Sequence, residues 1–245
     1  MKKTLLLLLS FFISIFSFSQ EIVDLVLVGD NGITEDIKKA HSFVLVKKYP
    51  DCFQRLDYKL NAPLQKLRSY SDSTLTVLQG NYYEYDANGA ITIKGHYQNN
   101  LKDDYWYYYN DTAKVIREEK YLAGVLIKTI NPDTIKNKED NDIAIKNVEE
   151  EARFGKRESD WGQYLSKNIN GDVAAGSVEG GNVIVMFVVN TDGKCVDVHL
   201  EKSVEFVLDE EALRVIENSP VRHPAIQNAR KVNAYRRQPL TFVKQ

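Results

Sequence analysis

Hydrophobic and polar positions are most clearly ordered between Gly181 and Val204. Two apolar runs, Val183 to Val189 and Cys195 to Leu200, flank Asn190-Thr191-Asp192-Gly193, where Asp-Gly supplies the positive φ that a tight hairpin needs. In the second run Val196, Val198 and Leu200 alternate with Cys195, Asp197 and His199, which predicts one apolar and one polar face. The apolar face needs a cover, and Leu208, Ala212, Val215 and Ile216 follow at i, i+4, i+7 and i+8, one stripe of a helix. Asp209 suits the N-cap of that helix, Glu210 and Glu211 place negative charge in its first turn, and Leu208 can staple onto Leu213. Asn218-Ser219-Pro220 ends it. Upstream, Phe154-Gly155 and then Trp161, Tyr164, Leu165 and Ile169, spaced i, i+3, i+4 and i+8, predict another helix. Downstream, Lys231 to Phe242 reads as a last strand, which Pro239 confines to a sheet edge because it lacks an N–H.

The middle of the chain is a succession of short strand-like runs: Phe43 to Lys47, Phe53 to Leu60, Leu64 to Tyr70 and Leu75 to Tyr85. Pro50, Pro63, Ser71-Asp72-Ser73 and Asn88-Gly89 punctuate them, so the pattern predicts an antiparallel meander beginning at Phe43. Asp30-Asn31-Gly32 is a turn, and Thr34 to Ala40 is read as one short helix before the sheet. A repeat lies inside the meander. Tyr82-Tyr83-Glu84-Tyr85 recurs as Trp106-Tyr107-Tyr108-Tyr109, Tyr97 as Tyr121, and Asn100 as Gly124, each offset by 24 residues. Aromatic residues on pleated strands stack across neighbours, which accounts for their density without a ligand. The functional alternative is that Tyr82 or Tyr108, on the face opposite Tyr85 and Tyr109, binds peptide or glycan.

These residues carry two resemblances. GGNVIVMFVV, TDGKCVDVHLEKSV, LDEEALRVI, SPVRHPA and KVNAYRRQPLTF, in that order over about the last ninety-five residues, resemble the TonB C-terminal domain of periplasmic proteins. The sequence departs from that family where Asn168-Ile169-Asn170 replaces a Tyr-Pro pair, where Val221 replaces a Trp, and where Asn228-Ala229-Arg230 replaces Asn-Gly-Lys. The repeat at about 78–127 resembles MORN-type repeats of YwqK-like proteins, with Asp104, Ala113 and Asn100 where Gly is usual. The resemblances imply an α+β chain in which an N-terminal antiparallel β-meander with MORN-like repeats precedes a TonB-like unit of two helices and an antiparallel three-stranded sheet. They also imply that the last strand captures a segment of an outer-membrane transporter by strand addition. Carried over by position, the partner-binding residues are Lys231, Val232, Asn233, Ala234, Tyr235, Arg236 and Arg237, flanked by Asn168 and Ile169.

The chain start adds a location. Lys2 and Lys3, the apolar run Leu5 to Phe18, and Ser17-Phe18-Ser19 before Gln20 have the three parts of a secretory signal peptide, so residues 1–19 are expected to be removed. The apolar run is shorter than the roughly twenty residues of a spanning helix, and no stable membrane span is expected. The expected organisation is a signal peptide at 1–19, a meander domain at 20–130, a polar linker at 131–150 and a TonB-like domain at 151–245. With only six scattered Pro, the chain does not display the long Pro-rich spacer through which a TonB transmits force. An alternative to transport is therefore a non-energised envelope scaffold that binds protein or peptidoglycan.

Composition narrows the chemistry. A net charge of −2, together with export, argues against nucleic-acid binding, although the stretch after Glu217 carries only basic charges and would favour an anionic partner. Cys52 and Cys195 are the only cysteines; two free thiols are expected, an interdomain bridge being the other arrangement. The acidic cluster Glu139, Asp140 and Asp142 lacks the Gly and distal Glu of a calcium loop. Cys195 and His199 would stand about 13 Å apart along a strand, too far to share an ion. Without a Gly-x-Ser-x-Gly, His-Glu-x-x-His, Walker or dinucleotide motif, neither an enzyme nor a cofactor or metal site is expected.

Overall fold

The computed structural model describes residues 21–132, 149–157 and 159–244. The signal peptide expected over 1–19 and most of the linker expected over 131–150 lie outside the described residues. The N-terminal half is one antiparallel meander of β1 (Glu21–Gly29), β2 (Gly32–Thr34), β3 (Ala40–Lys48), β4 (Phe53–Lys59), β5 (Leu64–Tyr70), β6 (Leu78–Tyr85), β7 (Ile91–Gln98), β8 (Leu101–Tyr109), β9 (Val115–Leu122) and β10 (Val125–Ile130). Its spatial order is β10-β9-β8-β7-β6-β5-β4-β3-β1-β2. The C-terminal half comprises α1 (Ser159–Asn168), α2 (Gly171–Gly176), β11 (Gly180–Val189), β12 (Cys195–Lys202), α3 (Phe206–Glu217), β13 (Ala225–Gln227), β14 (Arg230–Val232) and β15 (Ala234–Val243). Its three-stranded sheet has the order β12-β11-β15, and β13 and β14 form a separate ribbon. The α+β class and both antiparallel sheets agree with the sequence pattern.

The 24-residue repeat reappears as repeated backbone geometry. Asp86 Oδ1 accepts from the N–H groups of Asn88 and Ala90, and Asn110 Oδ1 accepts from those of Thr112 and Lys114. Each side chain closes a turn whose fourth residue, Gly89 or Ala113, has a φ of 79° or 58°. The two-residue turns Asn99-Asn100 and Ala123-Gly124 likewise put both central residues at positive φ. Asp104, Ala113 and Asn100, the three departures from Gly, all hold positive φ, so the backbone keeps the glycine-like shape without glycine.

Several sequence readings are corrected. Thr34 to Ala40 is not a helix: Asp36 makes one turn through Lys38 and Lys39, and the apolar period needed to continue it is missing. The sheet begins before Phe43, at β1, which pairs along β3. Simple alternation in β12 is broken by a bulge at Asp197, with φ of 50°, which sets Cys195 opposite Val189 and Leu200 opposite Val185. His199, assigned to a polar face, is buried because the meander covers that face, its ring stacked 5.0 Å from that of Tyr83. Helix α3 starts three residues before Asp209, and Glu205 occupies the N-cap position. The final segment is two strands, β14 and β15, separated at Asn233, and α2 is an additional short helix.

The two halves share one hydrophobic core. Phe206 of α3 packs edge-on against Phe43 and Tyr58, both at 5.5 Å between centroids. The polar centre of this contact is Asp209, which is fully buried. Its carboxylate accepts from Tyr58 Oη on β4, from Ser203 Oγ and from the Val204 N–H, while Ser203 Oγ accepts from the Leu64 N–H. Gly89 O takes the Ser203 N–H, and a Cβ on Gly89 would lie 2.0 Å from Ser203 O, so the Gly89 turn can only dock as glycine. Lys47 and Glu210 form an adjacent ion pair at 2.5 Å, and Tyr85 Oη donates to Leu200 O at 2.9 Å.

Burial pushes the Asp209 carboxyl up to about 7 against the pull of its three donors, whereas burial and the Lys94 ammonium pull His199 down to about 4. The two act in opposite directions. Between about pH 4 and 7 the folded chain keeps a proton on Asp209 that the unfolded chain has lost, so this group's stabilisation is present at low pH and fades as pH rises. His199 stays neutral in the fold while the unfolded chain protonates it, so its contribution is lost as pH falls from about 6.5 to 4. Asp209→Asn isolates the first effect: relative to the parent it should gain stability, on the order of a few kcal/mol, as pH rises from 4 to 7, read by denaturant unfolding across that range. A pH-independent difference would show that Asp209 is ionised throughout. Ala113→Gly should stabilise the protein by about 0.5–1 kcal/mol by relieving a left-handed alanine. Gly193→Ala, whose Cβ would lie 2.0 Å from Arg222 O, should destabilise it by more than about 2 kcal/mol in the same assay.

Candidate functional site

The free surface with the most regular main-chain geometry is the outer edge of β15. Ten consecutive pairs, from Gly180↔Val243 to Val189↔Ala234, hold β15 to β11 without a register shift. Among the described residues β15 pairs with no other strand. Its side chains alternate strictly: Ala234, Leu240 and Phe242 are buried with Val183, Val185 and Phe187 under the helices, while Tyr235, Arg237, Pro239, Thr241 and Val243 are exposed. Pro239 stands opposite Ile184, and a proline survives in such a ladder only where its missing N–H faces away from the partner strand. The odd-numbered positions therefore turn their N–H and C=O groups outward, with one donor missing at Pro239.

The opposite edge of this sheet is not available. At β12, Lys202 bridges to Ala90 at the start of β7, and Asp197 lies 3.5 Å from Lys94 Nζ and 3.3 Å from Asn81 Nδ2. The meander thus closes β12 and leaves β15 open. Between them lies a groove of about 1430 Å³, walled by Tyr105, Tyr107 and Tyr109 of β8 on one side and by Met186, Glu201 and Tyr235 on the other. Burial, then Glu201, Glu118 and Tyr235, push the Tyr109 phenol up to about 12, consistent with its position deep in this groove.

Residues 172–243 match the family model described as the Gram-negative bacterial TonB protein C-terminal. No curated protein and no solved structure matches the chain. The matched span runs from α2 to the end of β15, so it contains the whole three-stranded sheet and α3 but neither α1 nor the meander. No helix among the described residues is long and apolar enough to cross a membrane.

The residues singled out from sequence divide between this TonB C-terminal domain, which holds Lys231 to Arg237, and the end of α1 ahead of it, where Asn168 and Ile169 lie. Lys231 and Val232 lie on β14, paired with Ile226 and Ala225 of β13, and Asn233 is the joint before β15. Ala234, Tyr235, Arg236 and Arg237 form the first part of β15. Tyr235 is 55% exposed, and Arg237 is anchored to Glu201 at 2.8 Å. Arg236 instead points inward, donating to Ala152 O and pairing with Glu151, so it fastens the segment ahead of α1 to the sheet. Asn168 ends α1 and Ile169 follows it; Asn168 O accepts from Arg214 of α3. Asn168 thus ties α1 to α3, whereas it is Trp161 of α1 that reaches β15, donating to Gln238 Oε1 at 2.7 Å. Pro239, Thr241 and Val243 share the outward-facing row of this edge but were not among the partner-binding residues read from sequence, although the period-2 pattern of Ala234 to Phe242 contains the signal.

Tyr235→Pro removes only an outward N–H and should lower stability by about 1 kcal/mol or less, whereas Ala234→Pro breaks the ladder to Val189 and should lower it by about 3 kcal/mol. Denaturant unfolding of the two variants checks this, and equal losses would reverse the assigned register.

Proposed function

We propose that this chain is an exported envelope protein that serves TonB-dependent transport by binding an outer-membrane transporter's periplasmic segment as an added strand on β15. The observation that carries this reading is a ten-residue strand in a TonB C-terminal domain with one edge fully paired and the other unpaired. An extended peptide supplies the complementary row of donors and acceptors, and its alternate side chains meet Tyr235, Arg237 and Thr241. The tripartite start of the chain supports export.

One feature favours a scaffold as the second reading. The face of the meander directed away from the C-terminal half carries a polar aromatic field in which Trp106 contacts Tyr82, Tyr97 and Tyr121, with Lys102 Nζ 4.0 Å from the Trp106 ring centroid. Tyr108 and Tyr121 both donate to Glu119 there. Such a surface suits peptide or the sugar faces of peptidoglycan without any energised partner.

Binding of synthetic peptides from transporter periplasmic segments, followed by backbone amide protection, tests the first reading. The N–H groups of Tyr235, Arg237, Thr241 and Val243 should become protected, and Tyr235→Pro should weaken binding about tenfold, the equivalent of one lost strand hydrogen bond. Arg236→Glu should weaken it as well by releasing the Glu151–Ala152 segment over the edge. Protection absent from β15, with retention of peptidoglycan fragments that is lost on Tyr82→Ala or Tyr108→Ala, favours the scaffold. N-terminal sequencing of the fractionated native protein reports whether residues 1–19 are removed.

A further inference from the structure

Cys195, the first residue of β12, lies at the foot of an aromatic cage that encloses a cation. Arg222 is 8% exposed, with its guanidinium carbon 4.2 Å from the Trp161 ring centroid, 4.9 Å from that of Phe187 and 5.3 Å from that of Phe154. Its Nε donates to Cys195 Sγ at 3.2 Å, and Ser219 Oγ lies 3.4 Å from the same sulfur. The Nη2 atom is buried and has no hydrogen-bond partner. Nε–H and Nη2–H point the same way from one edge of the rigid, planar group, forming the fork that takes two acceptor atoms at once. Here one prong is met by sulfur and the other is buried without an acceptor. A buried donor left in that state is unfavourable, and the acceptor that would complete the fork is one bonded to the sulfur.

We propose that Cys195 is a site of reversible oxidation by a hydroperoxide, yielding a sulfenate whose oxygen is held by Arg222 Nη2. In the step, the Cys195 thiol gives up its proton and its sulfur attacks one peroxide oxygen. The S–O bond forms as the O–O bond breaks, the displaced hydroxide takes the thiol's proton and leaves as water when the oxidant is hydrogen peroxide, and the sulfenic acid so formed releases its O–H proton to solvent to give the sulfenate. Sulfur is oxidised by two electrons and the peroxide is reduced by two. The sulfenate then offers the guanidinium edge two adjacent acceptors, S and O, in place of one. A thiol reductant returns the cysteine. Cys195 is half-buried and unpaired, so it is reachable, and Cys52, the other free cysteine, lies on the meander, where burial and then Asp51 push its thiol up. The mark would sit three contacts from β15, through Arg222, Trp161 and Gln238. The proposal is independent of strand docking.

The test uses the full chain carrying Cys52→Ser, treated with stoichiometric hydrogen peroxide and quenched at intervals with a dimedone-type sulfenate trap. The comparison is a synthetic peptide of residues 190–200. Mass spectrometry should place the adduct on Cys195, and the trappable sulfenate should persist about tenfold longer in the protein than in the peptide, the difference expected of one charge-assisted hydrogen bond. Arg222→Lys, which keeps the charge and loses the fork, should shorten that lifetime toward the peptide's. If Arg222→Lys does not fold, the parent in urea replaces it as the reference lacking the cage. Absence of a trapped adduct on Cys195, or a lifetime equal to that of the peptide, overturns the proposal.

Discussion

The arrangement depends on a single buried carboxylate. Asp209 sits where α3 meets the meander, and three donors from two parts of the chain converge on it: Tyr58 from β4, and Ser203 and Val204 from the loop after β12. Isolated burial would make such a group strongly unfavourable; convergent hydrogen bonds reduce that penalty while fixing the angle at which the halves meet. An apolar residue in its place could fill the volume but would leave Tyr58 Oη without its acceptor. Ser203 extends the constraint, because its hydroxyl ties Leu64 and its N–H ties Gly89, so β5 and the β6–β7 turn are fixed by the same centre.

That joint decides which edge remains open. A three-stranded sheet has two edges, and once Asp209 seats α3 on β4, the adjoining β12 lies against β7 through Lys202 and Ala90. His199, stacked on Tyr83 with its Nδ1–H directed to Asp197 O, closes the remainder. The meander is thus part of the sheet's specification as well as its neighbour, since it covers one of the sheet's two edges. The Tyr105, Tyr107 and Tyr109 row then forms a wall beside the beginning of β15.

Much of this was legible in the chain because it is local. The Asn190 turn, the stripe of α3 and the 24-residue repeat all depend on residues within a few positions of one another, and side-chain chemistry decides them. What was not legible depends on partners distant in sequence. Asp209 reads as an N-cap until Tyr58, 151 residues away, is placed beside it. The Asp197 bulge reverses the faces of β12 because Cys195 packs under Arg222 and Leu200 takes Tyr85 Oη on its carbonyl, neither of which alternation can express. The candidate edge was found three residues early, since Lys231 to Val232 has the same polarity as β15 and only pairing with β13 separates them. The edge function of Pro239 was readable from composition alone, because a missing donor has one permissible orientation.

Open edges invite unwanted pairing, and the edges here are protected to different degrees. The outer strand of the meander, β10, exposes Val125, Leu126 and Ile127 with Lys128 as its only charge. By contrast β15 interrupts its donor row at Pro239, turns Arg237 toward Glu201, and has Arg236 engaged by the segment before α1. Such devices disfavour two copies of β15 pairing with each other, because like charges would be brought together and each proline would leave an acceptor of the facing strand unmet. They do not exclude a strand of different composition whose gap falls opposite Pro239 and whose side chains suit Tyr235 and Arg237. Discrimination at such a ledge would come from what it refuses as much as from the hydrogen bonds it offers, which are the same for any backbone.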